Sequence, residues 1–143
     1  MISAFLTLAS VVAASVVGCS SPADKLEDVR RTAQEEFDAA MTAFNARDYA
    51  AAETKLAAAL KLGGLYPDLY CEAAVKQAVC WAAAGKTTEA MSELDRLEQG
   101  APNLDQIYAA RSYVLAKQGK VAESRAALAK ARQLNRTVSE FKD

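Results

Sequence analysis

Apolar residues recur three and four apart through most of the chain and no stretch alternates with period two, so the pattern predicts helices and no strands. Breakers divide it into six segments of helical length. The first starts at Ser21-Pro22 or at Asp24, where Asp24 and Glu27 have the D-x-x-E spacing of a capping box. It runs through Phe37, Ala40, Met41 and Phe44 to about Ala46. Asp48-Tyr49 leads into "AAAETKLAAALKL", which ends at Gly63-Gly64. Pro67-Asp68 opens "LYCEAAVKQAVCWAAA", closed by Gly85, and Thr87 opens "TEAMSELDRLEQ", closed by Gly100. Pro102-Asn103 opens "LDQIYAARSYVLAKQ", with Asn103 and Gln106 at capping-box spacing. Gly119 closes that segment, and "VAESRAALAKARQL" supplies the sixth. In the closing "RTVSEFKD", Thr137 and Glu140 allow at most one further short turn. Short connections between helices make consecutive ones antiparallel neighbours.

Comparing the pairs exposes a repeat. Gly85-Lys86 and Gly119-Lys120 lie 34 residues apart, as do Glu89 and Glu123, Ala90 and Ser124, Leu94 and Leu128, and Leu97 and Ala131. A helix, a Gly-centred turn and a second helix at this period resemble the tetratricopeptide repeat. The resemblance runs over about residues 33 to 135. Its second-helix spacing of small, large, small and proline is met by Ala90, Leu94, Leu97 and Pro102. Its first-helix slots hold Ala74, Gln77, Ala78 and Trp81 in the middle repeat, and Tyr108, Arg111, Ser112 and Leu115 in the last, with the aliphatic slot polar in both. The first repeat fits with Phe37, Ala40, Met41 and Phe44, then Ala52, Leu56 and Ala59, if its turn is one residue short.

The resemblance implies an all-α helical-repeat solenoid of about three antiparallel helix pairs over residues 26–135, followed by a polar tail, 136–143. Small residues let paired helices approach while large ones fill the adjacent layer, and stacking buries faces that a single pair leaves open. It also implies that the first helix of each pair lines a concave groove. Asp38, Thr42, Asn45, Glu72, Lys76, Val79, Gln106, Ala109 and Tyr113 are the groove residues so implied. A groove of that mixed polarity suits a peptide or a helix of a protein partner more than a small molecule. With no polar capping helix after the sixth, an exposed apolar end and weak self-association are expected.

Ahead of the helices, "ISAFLTLASVVAASVV" (residues 2–17) carries no charge and is short against the roughly 20 residues of a membrane span. It meets Gly18-Cys19-Ser20-Ser21-Pro22, the pattern of an export signal with a small-residue cleavage site. Val16-Val17-Gly18-Cys19 resembles the lipobox of bacterial lipoproteins. That resemblance implies removal of residues 1–18, acylation of Cys19 on its sulfur and new amino group, and residues 19–25 as a short tether. One acyl chain binds a membrane marginally and stable anchoring takes at least two hydrophobic signals, which such acylation supplies. The implied location is a lipid anchor in the bacterial cell envelope, with the destination membrane open. An uncleaved signal anchor and an ordinary signal peptide are the alternatives.

Composition narrows the chemistry. With 17 basic and 18 acidic residues and no basic run beyond Arg30-Arg31, the chain lacks the electrostatic footprint of a nucleic-acid binder. It has no histidine, hence neither the usual general base near neutral pH nor the commonest metal ligand. Alanine supplies 32 of the 143 residues, so helices form readily over a thin core. Glu35-Glu36, Asp38, Glu89, Glu93 and Asp95 fall mostly on solvated faces, with helical ion pairs such as Glu27 with Arg31. No catalytic residue, metal or cofactor is expected. Cys71 and Cys80, nine apart on one helix, would sit about 13 Å from each other, beyond the roughly 7 Å limit for a disulfide, so both are expected to pack as small apolar residues.

These observations converge on a membrane-tethered, non-enzymatic binding or assembly module. A structural subunit of an envelope complex that uses the ends of the solenoid is the alternative. A small enzyme would need polar groups converging in a closed pocket.

Overall fold

The computed structural model describes residues 21–143; the leader and the expected lipidation site Cys19 lie outside the described residues. Helix α1 (Pro22–Asn45) begins one step earlier than the Asp24 and Glu27 pattern suggests. The Ser21 hydroxyl accepts the Asp24 amide at 3.2 Å and the Asp24 carboxylate accepts the Ser21 amide at 2.9 Å, so the capping box is Ser21 with Asp24. Pro22 favours this start, because its ring presets a helical φ where no amide donor is needed. Residues 22–25, expected as tether, are thus the first turn of α1.

Helices α2 (Tyr49–Leu62), α3 (Pro67–Ala83), α4 (Thr87–Glu98), α5 (Leu104–Lys117) and α6 (Val121–Leu134) follow, and among the described residues there is no strand. The protein is all-α, with three antiparallel helix pairs. Asp48 caps α2 by accepting the Ala51 amide at 3.0 Å. Asn103 does not cap α5 with its side chain; its amide reaches only the Gln106 side chain, at 3.5 Å. Central α3 packs against α2, α4 and α5, and carries both Cys71 and Cys80 as free thiols.

The turn inside each pair has one geometry. Arg47, Gly85 and Gly119 all have left-handed backbones, with φ of 62°, 83° and 76°. Their amides donate to the carbonyls of Phe44, Ala82 and Ala116, and the next amides, of Asp48, Lys86 and Lys120, donate to Ala43, Trp81 and Leu115. These paired bonds are the helix-terminating motif in which a left-handed residue folds the chain back onto the last turn.

The first turn is therefore not one residue short, because Arg47 occupies the place that glycine holds in the other two. Counting from that residue, Ala40 is equivalent to Ala78 and Ser112, and Phe37 to Val75 and Ala109. The spacing of 38 residues from Arg47 to Gly85, against 34 from Gly85 to Gly119, is an insertion between α2 and the body of α3. It lengthens α3 to 17 residues where α5 has 14. The inserted linker runs tight against the first helix, where a side-chain carbon on Gly64 would lie 2.9 Å from the Val29 carbonyl oxygen.

Small residues hold the close approach inside each pair. Ala40, Ala52, Ala78 and Ala90 are completely buried. In the third pair Ser112 and Ser124 take these positions, with hydroxyls 3.1 Å apart and Ser124 also donating to the Ser112 carbonyl at 2.8 Å. Leu56 and Leu94 are fully buried in the adjacent layer, whereas Leu128 at the end of the stack is only partly covered. Polar Arg111, in the slot that Gln77 fills in the middle repeat, is matched across the α4–α5 interface: it binds Asp95 and Glu98, each at 2.6 Å, and Tyr108 also donates to Glu98. Among the large apolar side chains, Leu26, Leu62, Tyr66 and Tyr70 stay exposed on the first two pairs and their linker, and Val121 and Leu134 on α6.

Candidate functional site

The face shared by α1, α3 and α5 carries the last eight residues of the chain. Asn135 ends α6 in an extended conformation, and its side-chain oxygen accepts the Thr137 amide at 3.0 Å and the Thr137 hydroxyl at 2.8 Å. The Val138 amide returns to the Asn135 carbonyl at 3.1 Å, so the chain reverses. The Asn135 side-chain amide then ties this turn to Asp105 at the start of α5, at 2.9 Å. The short turn that Thr137 and Glu140 allow does not form, because Thr137 is engaged with Asn135 and the rest of the segment is non-helical.

Beyond the turn the segment crosses the helices. Phe141 meets the Phe44 ring edge-on, with centroids 6.0 Å apart and an interplanar angle of 87°. The Lys76 ammonium lies 5.2 Å from the Phe44 centroid and 5.9 Å from that of Phe141, and Glu72 holds it there at 3.2 Å. A cation near aromatic faces is favourable, and more so where water is partly excluded. The Tyr49 hydroxyl donates to the Lys142 carbonyl. Asp143 receives the Tyr113 hydroxyl at 2.7 Å and the Lys117 ammonium at 2.6 Å. These two donors, Lys117 foremost, hold the Asp143 carboxyl below the usual carboxylate range. The Tyr113 hydroxyl is pushed up by burial and by its bond to Asp143, and burial also raises Tyr49.

Of the residues expected to line the groove, Glu72, Lys76 and Tyr113 meet at this site, and Gln106 borders a cavity of about 240 Å³ beside the tail, with Lys76, Asp105 and Phe141. Asp38, Thr42 and Asn45 are exposed on α1; Asp38 and Thr42 bond within the helix, Asp38 to the Gln34 side chain and Thr42 to the Asp38 carbonyl. Val79 and Ala109 are a correction: at 0% and 1% exposure they belong to the packed interior. The physical reason is angular, since one residue along a helix turns the face by about 100°. Phe44, Tyr49, Asp105 and Lys117 were missed. Phe44 read as core, while Lys117 stands one helical turn beyond Tyr113, with its ammonium 5.3 Å from that ring, a spacing visible in the sequence.

Elsewhere the carboxylates are mostly partnered. Glu36 pairs with Lys55, Glu93 with Arg96 and Asp95 with Arg111. Arg31 pairs with Asp28 and Glu35, not with Glu27 as the four-residue spacing suggested. An open cleft of about 530 Å³ lies between α4 and the α5–α6 turn, and its one arginine, Arg111, already holds two carboxylates. Among the described residues no three His, Cys, Asp or Glu gather as for a metal ion, and no helix is long and apolar enough to cross a membrane. No known family, curated protein or solved structure matches the chain.

Proposed function

We propose that this protein is a tetratricopeptide-like interaction module that holds an extended segment of a protein partner on the face of α1, α3 and α5. The carrying observation is the non-helical segment already lying there, with an aromatic side chain, a backbone carbonyl and a carboxylate each met by a group from the helices. The equivalence of the three intrapair turns supports the repeat reading, and the Val-Val-Gly-Cys19 motif supports anchoring to a bacterial membrane through an acylated cysteine. The module is non-enzymatic and needs no cofactor, metal or nucleic acid.

A photo-crosslinking residue placed at Asn45, the equivalent of Lys117, or at Gln106, and in a second protein at Arg125 on α6, tests this in native membranes. Adducts with a discrete protein from the groove positions alone are expected. Adducts only from α6, or from a probe at exposed Tyr66, would favour a structural subunit that docks through its ends, the reading that exposed Leu26, Leu62, Tyr66 and Tyr70 support. Intact mass of the mature protein tests the anchor: cleavage after Gly18 with added acyl chains is expected, and a retained leader refutes it.

A further inference from the structure

We propose that the groove is specific for an extended segment bearing an aromatic residue and, two positions later, a carboxylate, and that residues 136–143 are the built-in occupant that a partner segment of this chemistry displaces. This rests on the interaction-module reading above and names its ligand.

The contacts define two subsites and a spacer. The aromatic subsite is Phe44 with Lys76: the ammonium flanks both the Phe44 and Phe141 rings and is aimed by Glu72, so it accepts an aromatic face while rejecting a second cation. The acidic subsite is Tyr113 with Lys117, both donating to one carboxylate oxygen of Asp143. Between them the helices read only the main chain, through the Tyr49 hydroxyl on the Lys142 carbonyl, while the Lys142 side chain stays 66% exposed and pairs with Glu140 of the same segment, at 3.6 Å. Unlike the large core side chains, the occupant is held at its edges. Asp143 is 70% exposed and Glu140 39% exposed, and the segment contributes no residue to the fully buried interior. A segment held only at its edges opens at far lower free energy than the helices beneath it. Its covalent link gives it a high effective concentration, so it excludes weak ligands and yields to a matched one.

The test uses a fluorescent synthetic peptide of residues 136–143 added in trans to the full chain, to the full chain carrying Phe141→Ala with Asp143→Asn, and to the double variant carrying Lys117→Gln as well. If the occupant closes the groove nine times in ten, its loss strengthens apparent binding about tenfold. The expected result is therefore weak anisotropy change with the unaltered chain and at least about tenfold tighter binding to the double variant. Binding should be lost when the peptide's own Phe or Asp is replaced, or when Lys117→Gln is present. Equal binding to the unaltered chain and the double variant would overturn the occupant; so would a dimer in light scattering that the double variant dissolves, since the segment would then be exchanged between copies. Failure of the peptide to bind a double variant whose circular dichroism and urea melt match the unaltered chain would overturn the ligand chemistry. In that case groove-only crosslinks from Asn45 and Gln106 would still uphold the interaction module, so the two failures are separable.

Discussion

Substituting Arg47 by glycine should stabilise the protein. Arg47 is the one residue other than glycine with a positive φ among the described residues, at 62°, and it sits where Gly85 and Gly119 sit in the other pairs. An L-residue in the left-handed region costs about 1–2 kcal/mol, and glycine removes that cost. Glycine also adds freedom to the unfolded chain, which takes back about 0.4–1 kcal/mol. Arg47 is exposed, and its side chain adds only a solvent-screened attraction for Asp143, so little else is lost. The net gain is about 0.5–1 kcal/mol. Gly85→Ala and Gly119→Ala should lose a similar amount, because an added side-chain carbon at either meets nothing within 4 Å and the same two terms, backbone strain and unfolded-chain freedom, act in reverse. With a urea slope of about 2 kcal/mol/M, the midpoints should move by about 0.4 M, upward for Arg47→Gly and downward for the two alanine variants. A lower midpoint for Arg47→Gly, or no change for Gly85→Ala, would refute the equivalence of the three turns.

Leu94→Ala should cost about 3–5 kcal/mol, since alanine-rich surroundings cannot collapse into the cavity, whereas Leu128→Ala on partly covered α6 should cost about 1 kcal/mol; equal losses in urea melts would contradict the packing. Burial, with Glu53 nearby, pushes the Cys80 thiol up to about 12, so at pH 8 a maleimide should label half-buried Cys71 while Cys80 reacts only on unfolding; comparable labelling rates would contradict its placement. Docking of the C-terminal segment should depend on acid. Asp143 faces Lys117, Tyr113 and Arg47, and its carboxyl is lowered in the folded state, so its contribution is present above the ordinary carboxylate value of 3.8 and is lost as pH falls through the lower folded value. A fluorinated Phe141 resonance should therefore be constant from pH 8 to 5 and shift below that, and Asp143→Asn should abolish the acid step.

The helices were legible because each is long and keeps a 3.6-residue apolar period, and α2 to α5 end at a glycine, signals that act within a few residues. The register of the first pair was hidden by Arg47, whose sequence says nothing of a left-handed backbone; only the bonds to Phe44 and Ala43 reveal it. The capping box shifted by one step because Ser21 and Asp24 fit it as well as Asp24 and Glu27 do, and Pro22 decided between them. Residues of the groove were half legible. Glu72, Lys76 and Tyr113 follow from their place on the first helix of a pair, while Val79 and Ala109 show how small an angular error moves a residue from groove to interior. The docked segment was not legible at all. Its contacts join residues 30 apart in Tyr113 with Asp143 and 93 apart in Tyr49 with Lys142, and no local pattern in "RTVSEFKD" encodes them.

If the face takes a ligand as proposed, those long-range contacts favour one backbone shape for it. Sequence reasoning left a peptide and a helix equally suited to it. Phe141 and Asp143 engage the same face while the side chain between them points to solvent, the two-residue alternation of an extended chain, with about 6.6 Å between like-facing residues. In a helix, residues two apart lie roughly 200° apart around the axis, so one helical ligand cannot present both groups to Phe44 and to Lys117. A helix would also spend its carbonyls internally, leaving Tyr49 without the acceptor it finds on Lys142. On the proposed reading, the face discriminates by backbone shape before side-chain identity. A peptide with the aromatic and acid moved to a three- or four-residue spacing, which suits one face of a helix, should fail to bind the opened groove even though its composition is unchanged.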